Sequence, residues 1–226
     1  MSRLPPTLSQ LHPIAAFTAA YMMVATVFAL KYQNWEFAFY IGVMIFLIVL
    51  ILTIHRRTPL TYKTFWCLSI WGGLHMLGGL APIPQSWPID GEKYVFYSWW
   101  LIPNLLKYDH IVHGYGFGIA TWVCWQTLRP ALRNYYPTTG IILLCAIAGM
   151  GLGTVNEIIE FFATLLITDT NVGGYENTGW DLVANAVGSL VAMTFIGMAE
   201  GERVIKSKIE QKLHKFRDAQ KTRQTT

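Results

Sequence analysis

Six apolar blocks of helix length, separated by short polar or proline-bearing connections, constrain this chain more than any other feature. They run from about Ile14 to Leu30, Phe37 to Ile54, Thr64 to Leu80, Asp109 to Leu128, Gly140 to Ile167 and Trp180 to Met198. About 20 apolar residues in helical form cross a ~30 Å hydrocarbon layer, and within that layer a helix satisfies its own backbone groups. The blocks therefore predict an all-α fold, a polytopic integral membrane bundle of six transmembrane helices. Charge content agrees, because 13% of the 226 residues are charged where soluble domains carry about 25%. The fifth block is long, so it must tilt, kink near Gly149, Gly151 and Gly153, or emerge from the bilayer. Cys67, Cys124 and Cys145 all fall inside apolar blocks without zinc-ligand spacing and read as core residues. No small-residue cleavage motif follows Phe28, so the first block reads as a retained span.

Orientation follows from the basic residues. With the N-terminus inside, Arg3, Arg56, Arg57, Lys63, Arg129 and Arg133 face the cytoplasm. The tail adds Arg203, Lys206, Lys208, Lys212, Lys215, Arg217, Lys221 and Arg223. Only Lys31, Lys93 and Lys107 fall on the opposite side. The positive-inside rule then predicts a multi-pass plasma-membrane protein with both termini cytoplasmic.

Two segments stand apart from the spans. Residues 1–201 form the transmembrane domain and include an external loop at 81–108, where Pro82, Pro84 and Pro88 forbid a continuous helix. Tyr94, Phe96, Tyr97, Trp99 and Trp100 in that loop make an aromatic band suited to the headgroup level, and the loop reads either as an external lid on the bilayer or as an interfacial belt with no gating role. Residues 202–226 form a basic tail with Ile205, Ile209, Leu213 and Phe216 at helical spacing. That pattern predicts an amphipathic helix on an anionic inner leaflet. Membrane lipids, not nucleic acid, are the expected partners, and nothing in the sequence sets an oligomeric state.

Ionisable residues inside the spans are the functional clue, since a charge at membrane depth costs roughly 2.5–3.5 kcal/mol on insertion scales. Asp109 and His113 are four apart, Glu157 and Glu160 three apart, and Asp181 and Asn185 four apart, so each pair shares a helix face. Asn156 precedes Glu160 by four, and His75 on the third span is a further polar group. Under the predicted topology all of them collect in the outer half of the bilayer. Carboxylates with imidazoles held between helices are a ligand set for zinc, iron or manganese, and crowded carboxylates need a cation or protons to coexist. A divalent metal is thus a candidate cofactor. Asp109, His113, Glu160 and Asp181 are its candidate ligands, Glu157 and Glu160 the candidate catalytic carboxylates, and His75, Asn156 and Asn185 supporting polar groups. His110 points about 100° from Asp109 and is expected at the membrane interface. Gly114, Gly116 and Gly118, with Gly149, Gly151 and Gly153, are expected to let helices approach closely.

The runs HMLGG, YDHIVHGYGFG, NEIIEF and GYENTGWDLVANAVGSL occur in an order that resembles the YjdF-type membrane family, which in turn is similar to the broader VanZ-like group. The shared pattern is an Asp-x-x-x-His opening one helix, a glutamate pair on the next and an Asp-x-x-x-Asn opening the last. Here Asp109, His113, Glu157, Glu160, Asp181 and Asn185 carry it, over about Leu74 to Gly188. The resemblance implies a polytopic membrane protein without an agreed activity.

Three functions fit these residues. The first is a metal-assisted enzyme acting on a lipid or lipid-linked substrate at the outer face. The second is a noncatalytic lipid- or partner-binding membrane factor whose polar cluster is architectural. The third is a proton- or cation-coupled transporter, which the lack of a second polar cluster at the cytoplasmic ends of the last two spans disfavours.

Overall fold

A computed structural model describes residues 5–132 and 137–225, with side chains described to residue 213. Arg3 and Arg133, and the side chains of Lys215, Phe216, Arg217, Lys221 and Arg223, lie outside the described residues. Six long helices carry the fold: α1 (Leu8–Lys31), α2 (Trp35–Arg57), α3 (Tyr62–Leu80), α4 (Tyr108–Leu128), α5 (Thr139–Leu166) and α6 (Tyr175–Thr225). Polar side chains start most of them. Thr7, Asn34, Thr61 and Thr138 each accept a hydrogen bond from the backbone N–H three residues on, which satisfies one of the free donors of a first turn.

Helices α1, α2, α5 and the Tyr175–Leu213 part of α6 are long and apolar enough to cross a membrane. Helices α3 and α4 have 19 and 21 residues but are diluted by glycine, histidine, tyrosine and tryptophan. Those same residues build the site. Helix α5 runs through Gly149, Gly151 and Gly153 without interruption. Helix α6 continues without a break past residue 201, so the tail extends the last span rather than starting a separate helix. Ile205, Ile209 and Leu213 are exposed along it.

Helix α4 is central and packs on α3, α5 and α6, while α1 and α2 join the bundle mainly through α3. Small residues explain the closeness of α4 and α6. A Cβ on Gly188 would overlap the Gly114 carbonyl, and a Cβ on Gly118 would meet the Gly188 carbonyl at 3.0 Å. Four-residue spacing puts Gly114 and Gly118 on one face of α4, and Ala184 and Gly188 on one face of α6. Helix α5 is held likewise, with Gly149 against Thr121 and Ser189, and Gly153 against Asn185. Gly116 turns the other way and seats Trp71 of α3.

The segment between α3 and α4 is a folded cap rather than a loose loop. It contains a single 3-10 turn (Phe96–Ser98) and a two-stranded hairpin, β1 (Trp100–Ile102) with β2 (Leu106–Lys107). Asn104 takes φ 59° in the three-residue turn after Pro103, a left-handed position that asparagine tolerates. The aromatic residues pack on each other instead of forming only an outward belt: Trp87 and Trp99 centroids are 4.4 Å apart, and Phe96 lies 5.4 Å from Tyr108.

Candidate functional site

Asp109 and His113 project from the first two turns of α4, Glu157 and Glu160 from the last third of α5, and Asp181 and Asn185 from the first third of α6. The glycine seam described above brings these three stretches together at the end of the bundle that carries the cap. The sequence-predicted cluster therefore exists as one constellation, with His113 at its centre.

His113 is buried, and both ring nitrogens face oxygens. Nδ1 lies 3.2 Å from Asn185 Oδ1 and 3.5 Å from Glu157 Oε1; Nε2 lies 3.5 Å from Asp109 Oδ1 and 3.9 Å from Glu160 Oε1. A protonated Nδ1 donating to the Asn185 amide oxygen leaves Nε2 turned toward Asp109 and Glu160. Good N–H···O bonds are about 2.7–3.2 Å long. At 3.5 Å the His113–carboxylate pairs are too long for that. They are close to the ~3.3 Å edge of a tetrahedron whose ligands stand ~2.0–2.1 Å from a zinc ion.

Two overlapping triads bring possible ligand atoms together. Ligand atoms of Asp109, His113 and Asp181 lie within 4.8 Å of one another, and so do those of His113, Glu157 and Glu160. Asp181 Oδ1 and Glu157 Oε1 are buried with no hydrogen-bond partner among the described residues. Such orphaned carboxylate oxygens are costly without a cation or a proton. The remaining lone pairs are directed by neighbours: Asn156 Nδ2 donates to Glu160 Oε1 at 2.7 Å, and Asn177 Nδ2 donates to Asp181 Oδ2 at 2.6 Å.

His75 sits apart from both triads. It is bonded to the Tyr97 hydroxyl of the cap, and Phe37 and Tyr40 of α2 flank its ring. Burial pushes the Tyr97 phenol well above its ordinary range, so it stays protonated beside His75 Nδ1. His110, expected at the interface, is buried between the rings of Trp100 and Trp180, where its Nδ1 accepts the Lys107 N–H.

A cavity of about 590 Å³ opens above the cluster. Asp109 and Glu160 reach its wall, whereas Glu157 does not. The cap and the α5–α6 connection roof it, and they are clasped together. Glu36 of α2 accepts the Asn171 N–H at 2.8 Å, Asn171 Nδ2 donates to Ser98 Oγ at 3.3 Å, and Lys93 Nζ pairs with Asp169 at 2.9 Å.

Sequence reasoning missed four contributors. Lys107, counted as an external loop residue, is buried, pairs with Asp90 at 3.2 Å and bonds Asn177, which holds Asp181. Asn177 falls four before Asp181, a spacing that would have found it. Glu36 and Tyr40 share the same four-residue signal at the start of α2.

A family model described as "Predicted membrane protein (DUF2238)" matches residues 11–201. No curated protein and no solved structure matches the chain.

Proposed function

Because the chain belongs to the predicted membrane protein family DUF2238, we propose that it is a six-span, plasma-membrane enzyme of the YjdF and VanZ-like kind. Both termini face the cytoplasm, the basic tail engages the anionic inner leaflet, and the capped end faces outward. Its reaction is metal-assisted hydrolysis or transfer at the headgroup of a lipid or lipid-linked substrate. Asp109, His113 and Asp181 hold the divalent cation. Glu160, on the cavity wall and oriented by Asn156, is the general base. Glu157 and Asn185, behind the imidazole, set its tautomer and angle, as outer carboxylates and amides do for metal-bound histidines. The cation would lower the pKa of a bound water or polarise a phosphoryl or acyl oxygen.

One observation carries this reading: His113 Nε2 stands 3.5 Å from Asp109 Oδ1, a ligand–ligand rather than a hydrogen-bond distance, and ligand atoms of Asp109, His113 and Asp181 of α6 lie within 4.8 Å of one another. Metal analysis of purified protein tests it. About one equivalent of divalent metal is expected in the wild type, and a loss of most of it in His113→Ala and Asp181→Asn. Full stoichiometry in both variants, or none in wild type loaded with zinc or manganese, would overturn the assignment.

The architectural reading draws on the His113–Asn185 and Asn156–Glu160 hydrogen bonds, the first of which ties α4 to α6. It requires that neutral isosteres lower thermal stability while leaving any lipid-dependent activity intact. A relay across the membrane has less support. The polar group at the other end, Glu200 with Arg129 at 3.0 Å and Arg203, is closed on itself.

A further inference from the structure

The cavity above the cluster is itself selective, and its chemistry says for what. Seven of its lining residues are aspartate or glutamate and two are lysine. Neither lysine is free for an incoming anion: Lys93 pairs with Asp169 at 2.9 Å, and Lys107 pairs with Asp90 at 3.2 Å and bonds Asn177. A wall with that balance repels a free anion and concentrates cations.

A second feature is independent of the acidic count. Tyr40 lines the cavity, is only 7% exposed, and its hydroxyl has no hydrogen-bond partner among the described residues. It lies one turn after Glu36 on α2, so a phenol oxygen and a carboxylate share one face of the wall. Trp100 and Trp180 also line this space, but Lys107 Nζ already stands 5.7 Å over the Trp100 ring and His110 packs between the two indoles. Carboxylates and a phenol oxygen supply acceptors for an ammonium's three N–H donors.

The mouth points to the source of that cation. Asn104 of the hairpin turn lines the cavity, and the flanking Leu101, Ile102 and Leu105 are 36%, 49% and 59% exposed. Apolar side chains displayed at the rim of a polar cavity in a membrane protein dip into the interfacial layer, where headgroups lie.

We infer that this cavity binds the ammonium group of an amine-bearing lipid headgroup, held by Tyr40 and Glu36 above the Asp109–His113–Asp181 centre. The inference rests on the proposed reading that the capped end meets the lipid headgroups, and it names the substrate class of that site. An ammonium held there presents the adjoining phosphoester to the deeper cluster, where a cation supplies the positive charge that the cavity wall lacks.

Native mass spectrometry of the full-length chain, offered phosphatidylethanolamine and phosphatidylglycerol in equal amounts, tests it. The wild type is expected to retain the ethanolamine lipid about tenfold over the glycerol lipid, and Tyr40→Phe to lose roughly tenfold of that preference, the usual consequence of deleting one hydrogen bond to a charged group. Glu176→Gln, at the exposed mouth, provides a second variant whose folding is not at risk, and a partial loss of preference is expected there. Equal retention of both lipids, or a preference unchanged in both variants, overturns the inference. Displacement of the bound lipid by millimolar free ethanolamine overturns the lipid source and makes the ligand a soluble amine. Metal analysis on the same samples separates the two proposals. Stoichiometric metal without lipid preference defeats this inference alone, and lipid preference without metal defeats the metal centre alone.

Discussion

Two cavities of equal size, about 590 Å³ each, occupy opposite halves of the bundle and are built by opposite means. The capped cavity is walled by carboxylates, amides and phenols drawn from α2 to α6. The other lies between α1, α2 and α3, and Thr18, Thr26, Ser69 and Tyr21 are nearly its only polar lining. Lipid tails are as apolar as leucine, so an apolar cleft in a membrane protein requires no specific partner, whereas a polar one must be satisfied atom by atom. The difference shows in the glycines. Gly118 and Gly188 beside the polar cluster meet backbone of the facing helix, whereas Gly72 and Gly73 of the apolar half meet only side chains of α1 and α2, and Gly42 of α2 has open space around it.

The largest expected effect breaks the seam on which the polar half depends. Gly188→Val forces a branched side chain into the Gly114 carbonyl, where backbone must move. Overpacking of this kind costs about 1–3 kcal/mol or more; at ~2–4 °C per kcal/mol for a chain of this size, the melting midpoint should fall by about 5–10 °C, or the protein should fail to accumulate. Gly42→Ala in the other half should leave the midpoint unchanged or raise it slightly, since helix propensity improves without a clash. Equal losses in both variants, read by thermal unfolding in detergent, would erase the distinction between the halves.

A smaller effect of opposite sign is expected inside the cluster. Glu157→Gln removes a buried charge whose Oε1 has no hydrogen-bond partner among the described residues. In chelator, where carboxylates face each other without a divalent cation, the variant should melt a few degrees above the wild type, on the order of 1 kcal/mol. Added zinc should then raise the wild type's midpoint more than the variant's. A variant that melts below the wild type in chelator would mean that the Glu157 charge is already compensated within the protein, and the cluster would read as architecture.

How far the two halves were legible in sequence also differs. Apolar blocks locate all six helices, and length together with hydropathy makes four of them able to span a membrane. The three polar pairs were visible because three- and four-residue spacing survives folding. That they converge depends on Gly114, Gly118 and Gly188 facing one another, a three-dimensional match that spacing suggests without fixing the register. The cap was not legible. Its strands have three and two residues, too short for a period of two to emerge, although Pro103–Asn104 is a recognisable turn signal. Lys107 was misjudged for a physical reason: lysines in connections are normally solvated, and this one is buried where Asp90, earlier in the cap, and Asn177 of α6 meet it.

The smallest effect belongs to the apolar half and shows most directly whether its polar atoms matter. Thr18 Oγ1 and Ser69 Oγ lie 2.6 Å apart and form a side-chain hydrogen bond between α1 and α3. In membrane bundles such a bond averages about 0.6 kcal/mol, because the alternative partners also lie within the bilayer. Thr18→Val keeps the shape and removes one of the two hydroxyls, and the orphaned Ser69 hydroxyl can turn to a carbonyl one helical turn back. The melting midpoint should therefore drop by only about 1–3 °C, with metal content and lipid preference untouched. A drop comparable to that of Gly188→Val would show that the α1–α3 contact is as specific as the α4–α6 seam. The contrast between a half that needs satisfaction atom by atom and a half that the bilayer can fill would then fail at its weaker end.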